Sequence, residues 1–187
     1  MSITEQQFFA YVRENPINVQ LLEELSALQL PQCMLTAGCL VQTVWNLKSG
    51  NDAQFGIKDY DVFYFDDRDL SWEAEDMVIC RARELLGELS EKVEIKNQAR
   101  VHLWYSEKFG KPYPFLKNVE DGIDRYLTLC TRIGIRIEDR GLYAPDKLDD
   151  MWHGILRMNP LNPQPDLFRR KCDEYLARWP WISIITL

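Results

Sequence analysis

Apolar positions recur at helical spacing towards both ends of this chain, whereas alternating and aromatic-rich apolar runs occupy its middle. Apolar residues three and four positions apart predict helices, and Pro16 separates the first two of them. Ser71 can cap the helix after the first strand, because its hydroxyl can accept a bond from a backbone N–H. The predicted helices are residues 4–13, 17–28, 40–47, 71–89, 120–130, 146–156 and 166–179.

Strand signals cluster between these helical ends. The first and strongest is an aromatic run, and a later segment reads as two short strands or as one strand interrupted by Asn97-Gln98. This order favours an α+β fold, a small mixed β-sheet flanked by N- and C-terminal helices, over a doubly wound fold. The predicted strands are residues 60–65, 92–96, 99–104 and 133–137.

The length of 187 residues suits a single domain over residues 1–187, with a C-terminal helical portion from about residue 117. The 46% hydrophobic content is enough for a core. No apolar run is long enough to span a membrane, and the first residues lack the basic and apolar regions of a signal peptide. Five cysteines without a CxxC pair indicate reduced thiols and a cytoplasmic location, not a zinc site or a disulfide framework.

The formal net charge of -7 limits the kinds of partner that the protein can bind. A general nucleic-acid binder is usually basic, because it has to neutralise many phosphates. General nucleic-acid binding is therefore not expected. A small phosphorylated substrate remains compatible with this charge, because such a substrate needs only a few local cations.

Two aspartates two residues apart, Asp59 and Asp61, open the aromatic strand. In an extended strand, residues i and i+2 point to the same side, so both carboxylates could hold one cation such as Mg²⁺. Aspartate is depleted in strands, which favours a functional reason, although acidic pairs at strand ends are often solvated turn residues. Haloacid-dehalogenase-like phosphatases and many sugar transferases place such a pair after an apolar strand. Here the strand follows the pair, which points away from both classes.

A third carboxylate, Glu94, lies on the next predicted strand, with Val93 and Ile95 on the opposite side. Alone, it is typical of a solvated strand face. Beside the aspartate pair it would complete a three-carboxylate cluster, which repels itself unless divalent cations neutralise it. Two Mg²⁺ ions there could activate an attacking hydroxyl and stabilise a leaving pyrophosphate.

Phosphate contacts are predicted from two further groups of residues. Gly38 and Cys39 stand at the start of a helix, where backbone amides can receive phosphate oxygens, although Gly38 could equally serve tight helix packing. Lys58, Lys96 and Arg100 could bind phosphate or an acceptor, and ion pairing with carboxylates is the alternative for all three. If the strand continues unbroken, Lys96 and Arg100 lie on the same side of it as the third acid.

Several of these segments together resemble a family of mostly bacterial nucleotidyltransferase-like proteins in the DNA polymerase β nucleotidyltransferase superfamily. The resemblance covers most of the chain beyond its first helices, and it implies the fold of that superfamily. The segments that carry it are residues 37–46, 57–66, 93–104, 112–114 and 121–125.

The resemblance also implies roles for individual residues. Asp59 and Asp61 would be the primary metal ligands and Glu94 the third acid. Gly38 and Cys39 would line the site of a triphosphate, with Cys39 standing where serine or a second glycine is common.

The implied activity is a Mg²⁺-dependent transfer of a nucleoside monophosphate. An acceptor hydroxyl would attack the α-phosphorus of a nucleoside triphosphate and release pyrophosphate. The acceptor could be a small molecule, an RNA or a protein. The alternative is a nucleotide-binding or protein-interaction module that has kept the fold without turnover.

Overall fold

The computed structural model of the protein describes residues 2–185, which contain eight α-helices, seven strands and four short 3₁₀ turns. The helices are α1 (Glu5–Arg13), α2 (Pro16–Glu24), α3 (Gly38–Lys48), α4 (Trp72–Leu86), α5 (Val101–Phe109), α6 (Val119–Ile123), α7 (Asp149–His153) and α8 (Pro165–Arg178). The strands are β1 (Met34–Thr36), β2 (Tyr60–Tyr64), β3 (Val93–Asn97), β4 (Gly134–Arg136), β5 (Leu142–Tyr143), β6 (Ile155–Arg157) and β7 (Ser183–Ile185).

Five of the strands form one mixed sheet in the order β3-β2-β1-β4-β5. The β2–β3 pair is parallel, and the other neighbours in this sheet are antiparallel. Strands β6 and β7 form a separate parallel pair. The predicted α+β class with a small mixed sheet is therefore confirmed.

Burial alternates along β2 and gives the sheet two different faces. Tyr60, Val62 and Tyr64 are buried in the main core, whereas Asp61 and Phe63 are partly exposed on the other face. This alternation is expected of a strand that has one face on the core. Any chemistry carried by Asp61 is consequently directed away from the main core.

Helix α8 is fixed to α3 through Trp45, a fully buried side chain at the centre of the main core. The Trp45 ring lies edge-on to Tyr175 at 5.3 Å and to Trp179 at 5.2 Å between centroids. Its Nε1 donates to the Met151 carbonyl at 2.7 Å, and the Trp179 Nε1 donates to Asn46 Oδ1 at 3.0 Å. Both indole N–H groups are thus satisfied inside the core, which holds the last helix in one place.

Capping residues set several helix boundaries, and the break at Pro16 and the cap at Ser71 were predicted from the sequence. The Thr4 side chain and Gln7 form a capping box at the start of α1. Asn15 accepts from the Ile17 N–H, with Pro16 at the first position of α2, so the predicted break there is confirmed. The Ser71 hydroxyl accepts from the Ala74 N–H at 3.2 Å, as predicted for α4.

The predicted strand at residues 99–104 is wrong, because the chain turns into helix after β3. Asn97 ends the strand: its side chain accepts from the Ala99 N–H at 3.1 Å and donates to the Asp66 carbonyl at 2.7 Å. These bonds nucleate a 3₁₀ turn that continues into α5. The alternation that would have put Arg100 on the side of Glu94 therefore does not exist.

Two predicted helices are shorter than expected, and several short strands were not predicted. The helix predicted at residues 120–130 is Val119–Ile123, and the one at 146–156 ends at His153. Gly154 stops that helix in a left-handed conformation (φ 66°) before β6 begins. Strand β1 was missed because all three of its residues are buried, so it shows no alternation.

Within residues 2–185, no helix is both long enough and apolar enough to cross a membrane.

Candidate active site

The partly exposed sheet face brings the predicted acids of two strands side by side. Parallel pairing places Asp61 opposite Glu94 and Phe63 opposite Lys96. Side chains at paired positions of neighbouring strands project to the same face, so Glu94 is on the side of Asp61. The three-acid hypothesis required Glu94 to lie on the same sheet face as Asp61, and the strand pairing places it there.

Asp61 carries the most perturbed carboxyl of this face. Burial, together with the charges of Asp59 and Glu94, raises its pKa from the ordinary value of 3.8 to about 7. Lys171 and Lys96 act in the opposite direction and lower that pKa. Both predicted partner acids are therefore close enough to repel a charge on Asp61, and two lysines are close enough to favour it.

The three acids do not form a finished ligand cluster. Lys96 Nζ lies 2.5 Å from Glu94 Oε1, and the Glu94 side chain is 51% exposed. Asp59 is exposed just before the strand. In the part of the chain that the structure describes, no group of three or more His, Cys, Asp or Glu side chains could hold a metal ion as placed. Lys96 is therefore ion-paired with a carboxylate, which is the alternative to phosphate binding that the sequence analysis gave for this residue.

The turn between β1 and α3 lies beside these acids. Ala37 adopts an unusual backbone conformation (φ 54°, ψ −116°), and Gly38 is the first residue of α3. Within residues 2–185 the N–H groups of Gly38 and Cys39 have no backbone carbonyl partner, as expected for a helix start. A side chain at Gly38 would place its Cβ 3.0 Å from Gln42 Nε2, so the end of the Gln42 side chain would have to shift by a few tenths of an ångström to admit it.

The side chain of Cys39 is buried beneath this turn. Its Sγ donates to the Thr36 carbonyl at 3.5 Å, and the residue is 1% exposed. Burial, and then the charge of Asp61, raises the pKa of this thiol well above its ordinary value. Only the backbone amide of Cys39 is therefore available to line a site; its thiol is not.

Arg100 is not at this site, which corrects the prediction that it binds a phosphate there. Its side chain forms a buried ion pair with Glu75, and its Nε donates to the Leu70 carbonyl at 2.9 Å. Burial and the Glu75 charge raise the pKa of Tyr64, a residue of the opposite sheet face from Asp61, and the Arg100 charge acts against this rise. The turn at Asn97 causes this change of side, because it ends the strand three residues before Arg100.

Lys58 is exposed and precedes Asp59 directly in the sequence, so its contact with a phosphate stays a prediction.

Two cations of α8 reach the site although the sequence did not single them out. The Lys171 charge lowers the pKa of Asp61, and Lys171 Nζ is 5.0 Å from the centre of the Tyr175 ring. Arg178 Nη1 donates to Gln42 Oε1 at 2.8 Å and to the Gly56 carbonyl at 2.6 Å. The basic run at residues 169–171 was the only local signal. It could not show that Lys171 acts on Asp61.

Comparison with known proteins agrees with the fold. A family described as Nucleotidyltransferase matches residues 23–184. A protein solved by NMR, described as revealing a CCA-adding enzyme head domain, has a similar fold with a TM-score of 0.77 at 23% sequence identity. The alignment covers 98% of this chain and 97% of that one. No curated protein sequence matches the chain.

Proposed function

This chain belongs to the nucleotidyltransferase family, and we therefore propose that it transfers a nucleoside monophosphate from a nucleoside triphosphate to an acceptor hydroxyl. In this reaction the acceptor oxygen forms a bond to the α-phosphorus, and the bond from that phosphorus to the bridging oxygen breaks. Pyrophosphate leaves, and the hydroxyl proton passes to a carboxylate. The observation that carries the proposal is the perturbed Asp61, which faces Glu94 across two paired strands and feels the charge of Asp59.

The donor set fits Mg²⁺ at Asp59 and Asp61. Mg²⁺ prefers oxygen ligands and is commonly held by one or two carboxylates together with substrate phosphates, so a cluster of three acids is not required. When bound, the ion would neutralise the repulsion between these acids and polarise the phosphate. A second Mg²⁺ ion would require Glu94 as a ligand. Lys96 would then have to give up its ion pair with Glu94.

The remaining residues have separate roles in this proposal. The free amides of Gly38 and Cys39 would receive triphosphate oxygens at the positive end of α3. Lys171 would supply positive charge to the phosphates from α8. Glu94 would accept the hydroxyl proton once Lys96 has turned from it towards a phosphate.

A binding experiment tests the metal and triphosphate parts of the proposal. Calorimetric titration of ATP, GTP, CTP and UTP into the protein, with and without MgCl₂, should give Mg²⁺-dependent binding of at least one triphosphate. Asp59→Asn should weaken that binding by at least about tenfold, since it removes a metal ligand. Asp67→Asn, a change at an exposed acid beyond the end of β2, is the matched control and should bind as the wild type does. Equal binding with and without MgCl₂ would contradict the metal site.

A second candidate is a nucleotide-binding module without turnover. The Glu94–Lys96 pair at 2.5 Å favours it, because this pair occupies the acid that the reaction needs. A protein that binds Mg²⁺-triphosphate but releases no pyrophosphate with any nucleoside, oligoribonucleotide or protein acceptor would support this candidate over the transferase.

We expect Cys39→Ser to leave triphosphate affinity within about twofold of the wild type, because the side chain is buried and only the amide can reach a ligand. The new hydroxyl can still donate to the Thr36 carbonyl, so the free energy of unfolding should change by about 1 kcal/mol or less. Calorimetry and urea unfolding measure the two quantities. A tenfold gain in affinity would show instead that a hydroxyl here touches the phosphates.

A further inference from the structure

Beyond Glu94, the sheet face continues into an open cavity of about 280 Å³ with an aromatic wall. The wall is built by α5 and the loop that follows it, which carry Trp104, Tyr105, Phe109 and Tyr113. Its floor is the Phe63 ring, stacked on Tyr126 at 5.5 Å with an interplanar angle of 11°. None of these residues was assigned a role in the proposed reaction.

The aromatic rings of the wall are grouped but not buried. Tyr105 lies 4.6 Å from Phe109 and 4.3 Å from Tyr113 between ring centroids, with the planes tilted by 44° and 38°. Phe109 is 46% exposed, and the other rings of the wall are partly exposed. Large apolar side chains clustered around an open cavity are typical of a surface that binds a planar ligand.

Positive charge lies beside these rings. Lys108 Nζ is 5.6 Å from the Trp104 ring centre and 5.3 Å from that of Phe109, and Arg125 Cζ is 5.5 Å from the Tyr113 ring centre. Among the residues that the structure describes, neither cation has a carboxylate partner. Two uncompensated cations beside an aromatic wall, in a chain of net charge -7, indicate a ligand that combines a flat ring with an anion.

The cavity lies on the Glu94 side of the acids. Asp61 and Glu94 both line it, whereas Asp59, the first turn of α3 and helix α8 do not. Gly38, Cys39 and Lys171, which are proposed to contact the triphosphate, do not line the cavity, whereas Asp61 and Lys96 lie at its border with the donor site. Two substrates would consequently meet at Asp61 from different directions.

We propose that this cavity, the aromatic cleft, binds the acceptor, and that the acceptor is a nucleotide. The base stacks among Trp104, Tyr105 and Tyr113, its phosphate contacts Lys108 and Arg125, and a sugar hydroxyl is directed towards Glu94. The cleft is the size of one small ligand, so a single nucleotide unit fills it, either free or at the end of an RNA strand. The acceptor role rests on the proposed function, whereas nucleotide binding in the cleft does not.

The test titrates adenosine 5′-monophosphate and a six-nucleotide RNA into the protein in metal-free buffer. Tyr105→Leu should weaken both ligands by about tenfold or more, as expected when a base loses a stacking partner. Lys108→Ala, a change at an exposed position that leaves the fold intact, should weaken both by about fivefold. The exposed Lys111, outside the cleft, supplies the control: Lys111→Ala should bind as the wild type does. RNA binding much tighter than that of the monophosphate would assign the site to an RNA end, and similar affinities would assign it to a free nucleotide.

The following outcomes would overturn the nucleotide site, the acceptor role or the proposed function, and they distinguish these claims from one another. If neither ligand binds the wild type, or if Lys108→Ala and Lys111→Ala behave alike, the cleft is not a nucleotide site. If Lys108→Ala weakens Mg²⁺-triphosphate binding by the same factor, the cleft holds the donor, and the acceptor role is wrong. If the monophosphate binds in the cleft while no triphosphate binds with Mg²⁺, the proposed function fails and the nucleotide site remains.

Discussion

In metal-free buffer at pH 8, Asp61→Asn should be more stable than the wild type by about 2 kcal/mol, which corresponds to a rise of about 4–8 °C in Tm. The reason is the raised pKa of Asp61, because burial and two neighbouring acids disfavour its charge in the folded protein. A shift from 3.8 to about 7 would correspond to about 4 kcal/mol, and partial exposure of the side chain to solvent reduces this figure.

The same substitution should also remove a pH dependence. Between pH 4 and 7 the unfolded chain releases the Asp61 proton while the folded chain keeps it, so wild-type stability falls as pH rises through this range. Above about pH 7 both states are ionised at this position, and its contribution becomes constant. Asp61→Asn has no carboxyl proton to lose at this position. Its free energy of unfolding should therefore fall less between pH 4 and 7 than that of the wild type, by the amount that the Asp61 charge costs the folded protein.

Thermal unfolding of both proteins from pH 4 to 8 measures the effect, with Asp67→Asn as the exposed-acid control. Added MgCl₂ should stabilise the wild type at pH 8 and leave Asp61→Asn unchanged. Nucleotidyl transfer should be lost in the variant, by about a thousandfold or more, because a proposed ligand of the catalytic Mg²⁺ is missing. A variant that is less stable than the wild type at pH 8 would show that Asp61 is stabilised by a contact in the folded protein.

Arg100→Leu should destabilise the protein by about 3 kcal/mol while leaving nucleotide affinity unchanged. The change leaves Glu75 as an unpaired charge, and the side chains of Arg100 and Glu75 are only 8% and 13% exposed. Glu75 also accepts from the Asn97 N–H at 2.8 Å, so the pair supports the point at which β3 ends. Loss of this ion pair should therefore disturb the turn between β3 and α5 before other parts of the fold.

Urea unfolding measures this difference, and the exposed ion pair of Arg68 with Asp66 provides the matched control. The Arg68 side chain is 80% exposed, so Arg68→Ala should cost less than about 1 kcal/mol. Arg100→Leu/Glu75→Leu should recover part of the stability, because no unpaired charge is left. A stable Arg100→Leu variant with weakened triphosphate binding would restore the phosphate-binding role predicted from the sequence.

The sequence predicted the features that depend on local rules. Alternation along a strand puts Glu94 on the side opposite Val93 and Ile95. The break before α2 follows from Pro16, and the cap at Ser71 depends on a neighbour three positions later. The family and fold followed from segments that are recognisable one at a time. These features required no knowledge of how the chain folds back on itself.

The features that were missed depend on distant contacts. Whether the chain after Asn97 extends or turns was decided by bonds to Asp66 and Glu75, which lie 31 and 22 residues earlier. The position of Lys171 beside Asp61 depends on the packing of α8 against Trp45. No spacing within the chain encodes either arrangement, so only the folded structure could supply them.

The bond from Arg178 to Gln42 joins residues 136 positions apart, and it has a consequence for biosynthesis. During translation the two aspartates and the start of α3 are made more than 100 residues before Lys171 of α8. A chain synthesised only as far as β5 contains Asp59, Asp61 and Glu94 but lacks the positive charge that α8 brings. In the proposed function, phosphate binding is therefore complete only once α8 has been made and has packed against Trp45.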